Sequence, residues 1–229
     1  MRSRAWLGTV SSLAIAGYLL QSSSVLADSI GITSAVSNKV EGINGGAARS
    51  LAVGSELFLN ESVRTGEGSN AQILLRDQTS VSVGPHSEVK LDKYVYNPKG
   101  GAGDVVLSAT RGAFRFVSGV QQSSSYQIKT PAGTLGVRGT VFDIMVEGDK
   151  LTFILVQGSA FARLPGGRTV DISTKGSGFV LSRGGRQVRM QSWDTTKVNS
   201  NGNMHFPLYG PTYGQESTDR NNTDQAQNN

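Results

Sequence analysis

Residues 70–92 read NAQILLRDQTSVSVGPHSEVKLD, and their spacing decides the fold class. Ala71, Ile73 and Leu75 fall at every second position, with Gln72 and Arg76 on the other parity. Val81 and Val83 alternate with Ser80 and Ser82, and Val89 and Leu91 with Glu88, Lys90 and Asp92. Period two places the apolar set on one face of an extended chain and the polar set on the other. The breaks, Asp77-Gln78 and Gly84-Pro85, are turn formers, as are Thr65-Gly66-Glu67-Gly68 before the stretch and Asn97-Pro98-Lys99-Gly100-Gly101 after it.

The same pattern continues outward, through Val105-Leu107, Phe114-Phe116, Phe142-Ile144-Val146, Leu151-Phe153-Leu155, Ala160-Ala162-Leu164, Val170-Ile172, Phe179-Leu181 and Val188-Met190. Val146 to Leu151 reads as a hairpin, and so does Leu164-Pro165-Gly166-Gly167-Arg168, whose paired glycines supply positive φ. No stretch sustains a 3.6-residue period. Strand and turn recur every 8–12 residues or so, the signature of an all-β domain. The expectation is a single all-β body over residues 51–190, built of stacked short strand pairs in a β-solenoid-like arrangement, with a β-sandwich as the alternative. Residues 28–50 read as a lead-in with an edge strand around Ala35 to Val40. Residues 191–229 read as a polar, largely disordered tail, almost wholly polar beyond Gly214. Within that tail, Phe206-Pro207-Leu208-Tyr209-Gly210-Pro211-Thr212-Tyr213 is either a strap folded back along the domain or an exposed docking peptide, and the strap is favoured.

Composition agrees. The 229 residues include 29 glycines, no cysteine and only 17% charged residues, while Ser, Thr, Asn and Gln supply close to a third. Without cysteine there is no disulfide scaffold, thiol chemistry or Cys-type metal site. Residues 1–27 have the three-part layout of a secretory signal: Arg2 and Arg4, then the apolar Ala5 to Leu20, then Val25-Leu26-Ala27. The apolar run is shorter than a membrane-spanning helix needs. Cleavage near Ala27 is expected, giving a periplasmic or secreted product with no membrane span. Removing Arg2 and Arg4 lowers the net charge from +5 to +3. The remaining basic residues are spread singly, which argues against a nucleic-acid partner.

The run from Leu51 to about Gly158 resembles the FecR domain. It carries Val53-Gly54, Glu61-Ser62-Val63-Arg64-Thr65-Gly66, Ser69 to Asp77, and Thr79 to Ser87. Its strongest part is Lys129-Thr130-Pro131-Ala132-Gly133-Thr134-Leu135-Gly136-Val137-Arg138-Gly139-Thr140, followed by Val141-Phe142-Asp143 and later by Val156-Gln157-Gly158. The resemblance implies a periplasmic β-rich module. It also implies regulators of iron-siderophore uptake, with a cytoplasmic anti-sigma segment, a membrane helix, and a domain that contacts an outer-membrane transporter. This sequence shows no such cytoplasmic segment, and its only apolar stretch reads as cleavable. What carries over is the module and a role in touching another envelope component, not anti-sigma activity.

The signature also has a reading of its own. Gly133, Gly136 and Gly139 sit three apart around Arg138 and permit close backbone approach and positive φ, as a tight corner needs. Arg138 is read as pinning that corner through backbone carbonyls or a carboxylate such as Asp143, with ligand contact as the alternative. Pro131 holds Thr130 extended. The set Thr130, Pro131, Gly133, Gly136, Arg138, Gly139, Thr140 and Phe142 is therefore expected to be structural.

No catalytic motif emerges. His86 and His205 are far apart, no metal-ligand spacing is present, and Asp143, Glu147 and Asp149 read as a solvated acidic face. No Gly-x-Ser-x-Gly elbow or phosphate-cradling loop occurs. The expectation is a non-enzymatic protein without cofactor or metal that binds or senses an envelope protein. The alternative is a carbohydrate or cell-wall binding module using Tyr94 and Tyr96, which share one face of a strand and could stack on sugar rings.

Overall fold

The computed structural model describes residues 28–98, 103–122 and 125–192, with the Arg138 side chain outside that description. The proposed signal peptide, its cleavage point after Ala27 and the tail from Trp193 onward also lie outside the described residues.

The described chain is all-β. Its strands are β1 (Ser29–Ser37), β2 (Val40–Asn44), β3 (Ala47–Ser50), β4 (Glu56–Phe58), β5 (Ser62–Thr65), β6 (Asn70–Leu75), β7 (Ser80–Val83) and β8 (Glu88–Val95). They continue as β9 (Asp104–Val117), β10 (Tyr126–Thr130), β11 (Gly133–Glu147), β12 (Lys150–Arg163), β13 (Thr169–Ile172), β14 (Ser177–Ser182) and β15 (Gln187–Ser192). One hydrogen-bonded network joins them, and among the described strands only the β9–β10 pairing is parallel.

The network divides into two ladders that share β9, β11 and β12. One ladder runs β15-β14-β12-β11-β9-β7-β6-β1-β4, using Leu151–Ile154 of β12, Val141–Val146 of β11 and Gly112–Val117 of β9. The other runs β13-β12-β11-β10-β9-β8-β5-β2-β3, using Ala160–Arg163, Gly133–Gly136 and Asp104–Arg111 of the same three strands. Each shared strand changes ladder near a glycine of positive φ: Gly112 (+97°), Gly139 (+55°) and Gly158 (+85°). At the last two the β11–β12 register slips on both sides of Val141. An irregularity of this kind re-aims a strand without ending it. This is why segments read as separate short strands, such as Val105-Leu107 and Phe114-Phe116, are parts of one 14-residue strand. The glycines between them act as bends.

One contiguous core takes side chains from both ladders. Its spine is a row of rings. Tyr126, Phe116, Phe142, Phe153 and Phe179 follow one another at centroid distances of 5.8, 5.2, 5.3 and 4.9 Å. Offset ring contacts of this kind add to the about 1.5–3 kcal/mol that burying a large apolar side chain contributes.

Both expected hairpins form. Glu147 pairs Lys150 across Gly148-Asp149, with Gly148 at φ +61°, and Arg163 pairs Thr169 around Gly166 and Gly167, both at φ +85°. Residues 28–50, read as a lead-in, contribute three strands to the same sheet. β1 lies between β6 and β4, and β2 between β5 and β3, with Ile30 and Val40 buried. Gly45 and Gly46, at φ +56° and +85°, close the β2–β3 hairpin, the two-residue loop for which paired positive φ is suited.

Candidate functional site

The signature segment runs from the β10–β11 turn through the ladder crossing. Thr130 pairs Gly133 across Pro131-Ala132, and its Oγ1 donates to the Gly133 carbonyl at 2.8 Å. Gly136 faces Phe161 in register, and a Cβ there would collide with the Phe161 ring. At the crossing, a Cβ on Gly158 would collide with the Gly139 carbonyl oxygen. Thr140 is buried at that point. Its backbone N–H donates to Ser118 Oγ at 2.8 Å, its Oγ1 donates to the Ser159 carbonyl at 2.7 Å, and the Ser118 N–H donates to its carbonyl at 3.0 Å. These bonds tie β9, β11 and β12 together where all three turn. Phe142, the next residue on the core parity, sits at the middle of the ring row with no exposed surface.

The carboxylate suggested for Arg138 belongs elsewhere. Asp143 is held by Arg115, whose Nε and Nη2 donate to its two oxygens at 2.6 Å each. The two residues are direct cross-strand partners in β9 and β11. The solvated acidic face is corrected by the same observation. Glu147 is exposed and pairs with Lys150 at 3.0 Å, as expected of a surface residue, but Asp143 has 0% exposure. Burial raises the Asp143 carboxyl above its ordinary range, and the Arg115 guanidinium, by hydrogen bond and charge, pulls it back. Strand parity places Asp143 opposite the core side correctly. What it cannot give is cover on that side.

Two further buried carboxylates lie in the described chain. Glu61, the first residue of the Glu61 to Gly66 motif, accepts from Arg49 Nε at 2.9 Å, Arg49 Nη2 at 3.0 Å and the Phe58 N–H at 3.0 Å. Arg49 comes from β3, so residues 28–50 complete this motif. Asp77, in the β6–β7 turn, has no exposed surface either. It accepts from the Thr79 N–H at 3.2 Å, Thr79 Oγ1 at 2.8 Å, Gln121 Nε2 at 3.1 Å and the Tyr126 hydroxyl at 3.0 Å. The Tyr126 hydroxyl in turn accepts from the Gln121 N–H at 3.0 Å. Burial pushes that hydroxyl up to about 12.

Tyr94 lies near the end of β8 and Tyr96 just beyond it, with ring centroids 6.4 Å apart and rings inclined at 41°. Tyr94 packs partly against the core. Its hydroxyl is buried without a hydrogen-bond partner, and desolvation raises its pKa. The pair therefore presents two half-buried, mutually tilted rings, not one continuous flat surface.

Among the described residues no three His, Asp or Glu side chains gather into a metal-sized group. No described helix is long and apolar enough to cross a membrane. A shallow groove between β12 and β13, lined by Ser159, Phe161, Asp171 and Ser173, holds one titratable side chain, Asp171. Arg49 and Arg115 were not legible in the sequence because each partner lies on a separate segment, 12 and 28 residues away.

Residues 61–161 match the family described as FecR protein, so the chain carries a FecR domain. The match contains the motif from Glu61, the Asp77 turn, the signature corner and the Arg115–Asp143 pair. No curated protein matches the chain significantly. The fold is similar to that of two crystal structures of candidate anti-sigma factors from Parabacteroides distasonis ATCC 8503. One, at 2.50 Å resolution, has a TM-score of 0.50 and 13% identity, covering 61% of this chain and 62% of that one. The other, at 1.65 Å, has a TM-score of 0.48 and 15% identity, covering 61% and 63%. The match thus spans less than two thirds of either protein, and the likeness concerns the fold.

Proposed function

We propose that this chain is an exported, non-enzymatic regulatory module that binds or senses another protein of the cell envelope through its FecR domain. The FecR match over residues 61–161 carries this reading. The likeness in fold to a candidate anti-sigma factor supports a regulatory role, and the layout of residues 1–27 supports export. Local chemistry points the same way. The buried carboxylates Glu61, Asp77 and Asp143 are each saturated by donors that hold strands or turns in place. Groups so engaged serve architecture, which leaves the exposed edges and loops for recognition.

Two measurements test the reading. Osmotic-shock fractionation of a C-terminally tagged chain should release a product beginning near Asp28 with the periplasmic fraction. An intact chain in the cytosol would overturn export. Photo-crosslinkers placed along the exposed strand β3 and at Val120 should give a discrete adduct with one envelope protein. Adducts with glycan alone, or none at any position, would overturn protein recognition.

A further inference from the structure

Charge is divided unevenly along the fold. Residues 28–117 hold nine basic and nine acidic residues, and residues 118–192 hold nine and four. In the first set Lys39, Arg49, Arg64, Lys90, Lys93 and Arg111 each pair with a carboxylate. In the second, Lys150 pairs with Glu147, and Asp143 is taken by Arg115 of β9. Lys129, Arg163, Arg168, Arg183 and Arg186 are exposed and have no carboxylate partner among the described residues. Residues 126–142, 150–170 and 172–192, which contain these five, hold no carboxylate at all.

The five cations are scattered in the sequence, and the fold gathers them at three turns in mutual contact. Lys129, Thr134, Arg163 and Thr169 are direct partners across β10, β11, β12 and β13, so their side chains share one face. Two strand spacings, about 10 Å, separate the two cations of this row. Beyond it the chain turns at Pro131-Ala132 and again at Pro165 to Arg168, where the Leu164 N–H donates to the Arg168 carbonyl at 2.8 Å. The turn from Arg183 to Arg186, between β14 and β15, sits against both: a Cβ on Gly185 would collide with the Ala132 carbonyl oxygen and lie 2.8 Å from Pro165 Cδ. Arg183, Gly184 and Gly185 have φ +52°, +60° and +81°. Glycine adopts that region freely, whereas the arginine stands there against the backbone's preference.

What such a surface meets is anionic, and its surroundings say of which kind. A specific protein interface sets large apolar or aromatic anchors among its arginines. Around these turns no described aromatic side chain is exposed, and of the exposed large apolar residues only Met190 lies on these hairpins. Single-stranded nucleic acid likewise needs exposed rings on which bases stack. A planar anionic surface needs neither, because its attraction sums over the cations, about fivefold in affinity for each. We propose that the three-turn end is a peripheral docking surface for the headgroups of an anionic phospholipid bilayer, held by Lys129, Arg163, Arg168, Arg183 and Arg186 with nothing inserted into the hydrocarbon. This goes beyond the regulatory reading and does not depend on it. The attraction decays over about 8 Å at physiological salt, so the turns must touch the surface and added salt releases them.

Sedimentation of the full chain with sucrose-loaded vesicles tests this. Vesicles of equal parts phosphatidylcholine and phosphatidylglycerol should bind it far more tightly than phosphatidylcholine alone, and high salt should abolish the difference. Arg163→Gln, Arg168→Gln, Arg183→Gln and Arg186→Gln together should lower the phosphatidylglycerol-dependent affinity by a factor on the order of several hundred, with the β-type circular dichroism unchanged. Should that variant lose its β signal, the 163/168 and 183/186 pairs of substitutions take its place, each expected to cost about 25-fold. Lys39→Gln, Lys90→Gln, Lys93→Gln and Arg111→Gln together remove equal charge from exposed pairs elsewhere and should cost less than about tenfold. Residues 1–27 are common to all variants, so their own affinity cancels. Equal losses in the two fourfold variants would overturn the proposal, since net charge and not the turns would then decide. So would a phosphatidylglycerol-dependent fraction that survives high salt, or no dependence on phosphatidylglycerol at all. In that last case, retention on immobilised polyglutamate or duplex DNA would name an acidic protein segment or nucleic acid in its place.

Discussion

The two fully buried aspartates sit in contrasting surroundings. Asp77 closes a turn at the end of the ring row and is held by neutral donors: a backbone N–H, a hydroxyl, an amide and a phenol. Asp143 lies mid-strand on the ladder's outward face and is held by one guanidinium in a bidentate clasp. Both have 0% exposure, but the first is secured by four weak bonds from two chain segments and the second by one strong pair. The difference teaches where single substitutions hurt. A distributed network loses its members one at a time, whereas a bidentate pair fails all at once and leaves a buried charge.

The largest effect is expected from Arg115→Leu. It strands the Asp143 carboxylate, and urea unfolding should show a loss of about 3–5 kcal/mol, the range for breaking one partner of a buried pair. The double variant Arg115→Leu with Asp143→Leu removes the stranded charge and should recover most of the loss. If the double variant is as unstable as the single one, the guanidinium matters for packing and not for charge.

Asp77→Ala should cost less, about 2–3 kcal/mol, because Thr79, Gln121 and Tyr126 each lose an acceptor, while the turn backbone stays bonded through the Leu75 N–H to the Thr79 carbonyl at 2.9 Å. Unfolding curves in urea measure it. A loss exceeding that of Arg115→Leu would reverse the ranking of the two sites.

The phenol gives the network a pH signature. The folded state holds the Tyr126 proton up to about 12, against an ordinary value of 10.0. Between those values the unfolded chain has released the proton and the folded chain has not, so stability falls as pH rises. The contribution is fully present below pH 10 and should be lost progressively toward pH 12, by about 3 kcal/mol at most. Comparing urea midpoints at pH 9 and 11.5 in the native chain and in Tyr126→Phe checks this. The variant should show a shallower decline, with a residual slope from Tyr94, whose pKa burial also raises. Equal declines in both would mean that burial does not hold the Tyr126 proton in the folded state.

Much of this architecture was legible in the sequence, and the gaps have physical causes. Alternation in residues 70–92 gave the strands β6 to β8 and their core parity, because side-chain direction along a strand follows from local geometry alone. The outward parity of Asp143 followed equally well. Its burial did not, because the parity of one strand says nothing about what lies above the sheet. The partnership of Glu61 with Arg49 was hidden for a related reason: register between β3, β2 and β5 decides which side chains meet. Glycine was legible as a break and ambiguous as to kind. Gly166 and Gly167 reverse the chain, while Gly112, Gly139 and Gly158 share their positive φ and merely bend a strand, and the partner strand decides which happens.

The smallest effect concerns Gly139, one of the three signature glycines spaced around Arg138. Gly139 has φ +55°, and a Cβ placed there meets nothing within 4 Å. Its requirement is purely one of backbone conformation. Gly139→Ala should therefore cost about 1 kcal/mol, the usual penalty for a side chain in the left-handed region, and Gly139→Asn less, since asparagine tolerates it. Gly158, across the same crossing, has positive φ and also a Cβ position blocked by the Gly139 carbonyl oxygen. Gly158→Ala should cost clearly more than Gly139→Ala in paired urea titrations. The ordering separates two reasons for glycine at one corner. If the two alanine variants are equally destabilised, close backbone approach contributes nothing at the crossing and the bend rests on φ alone.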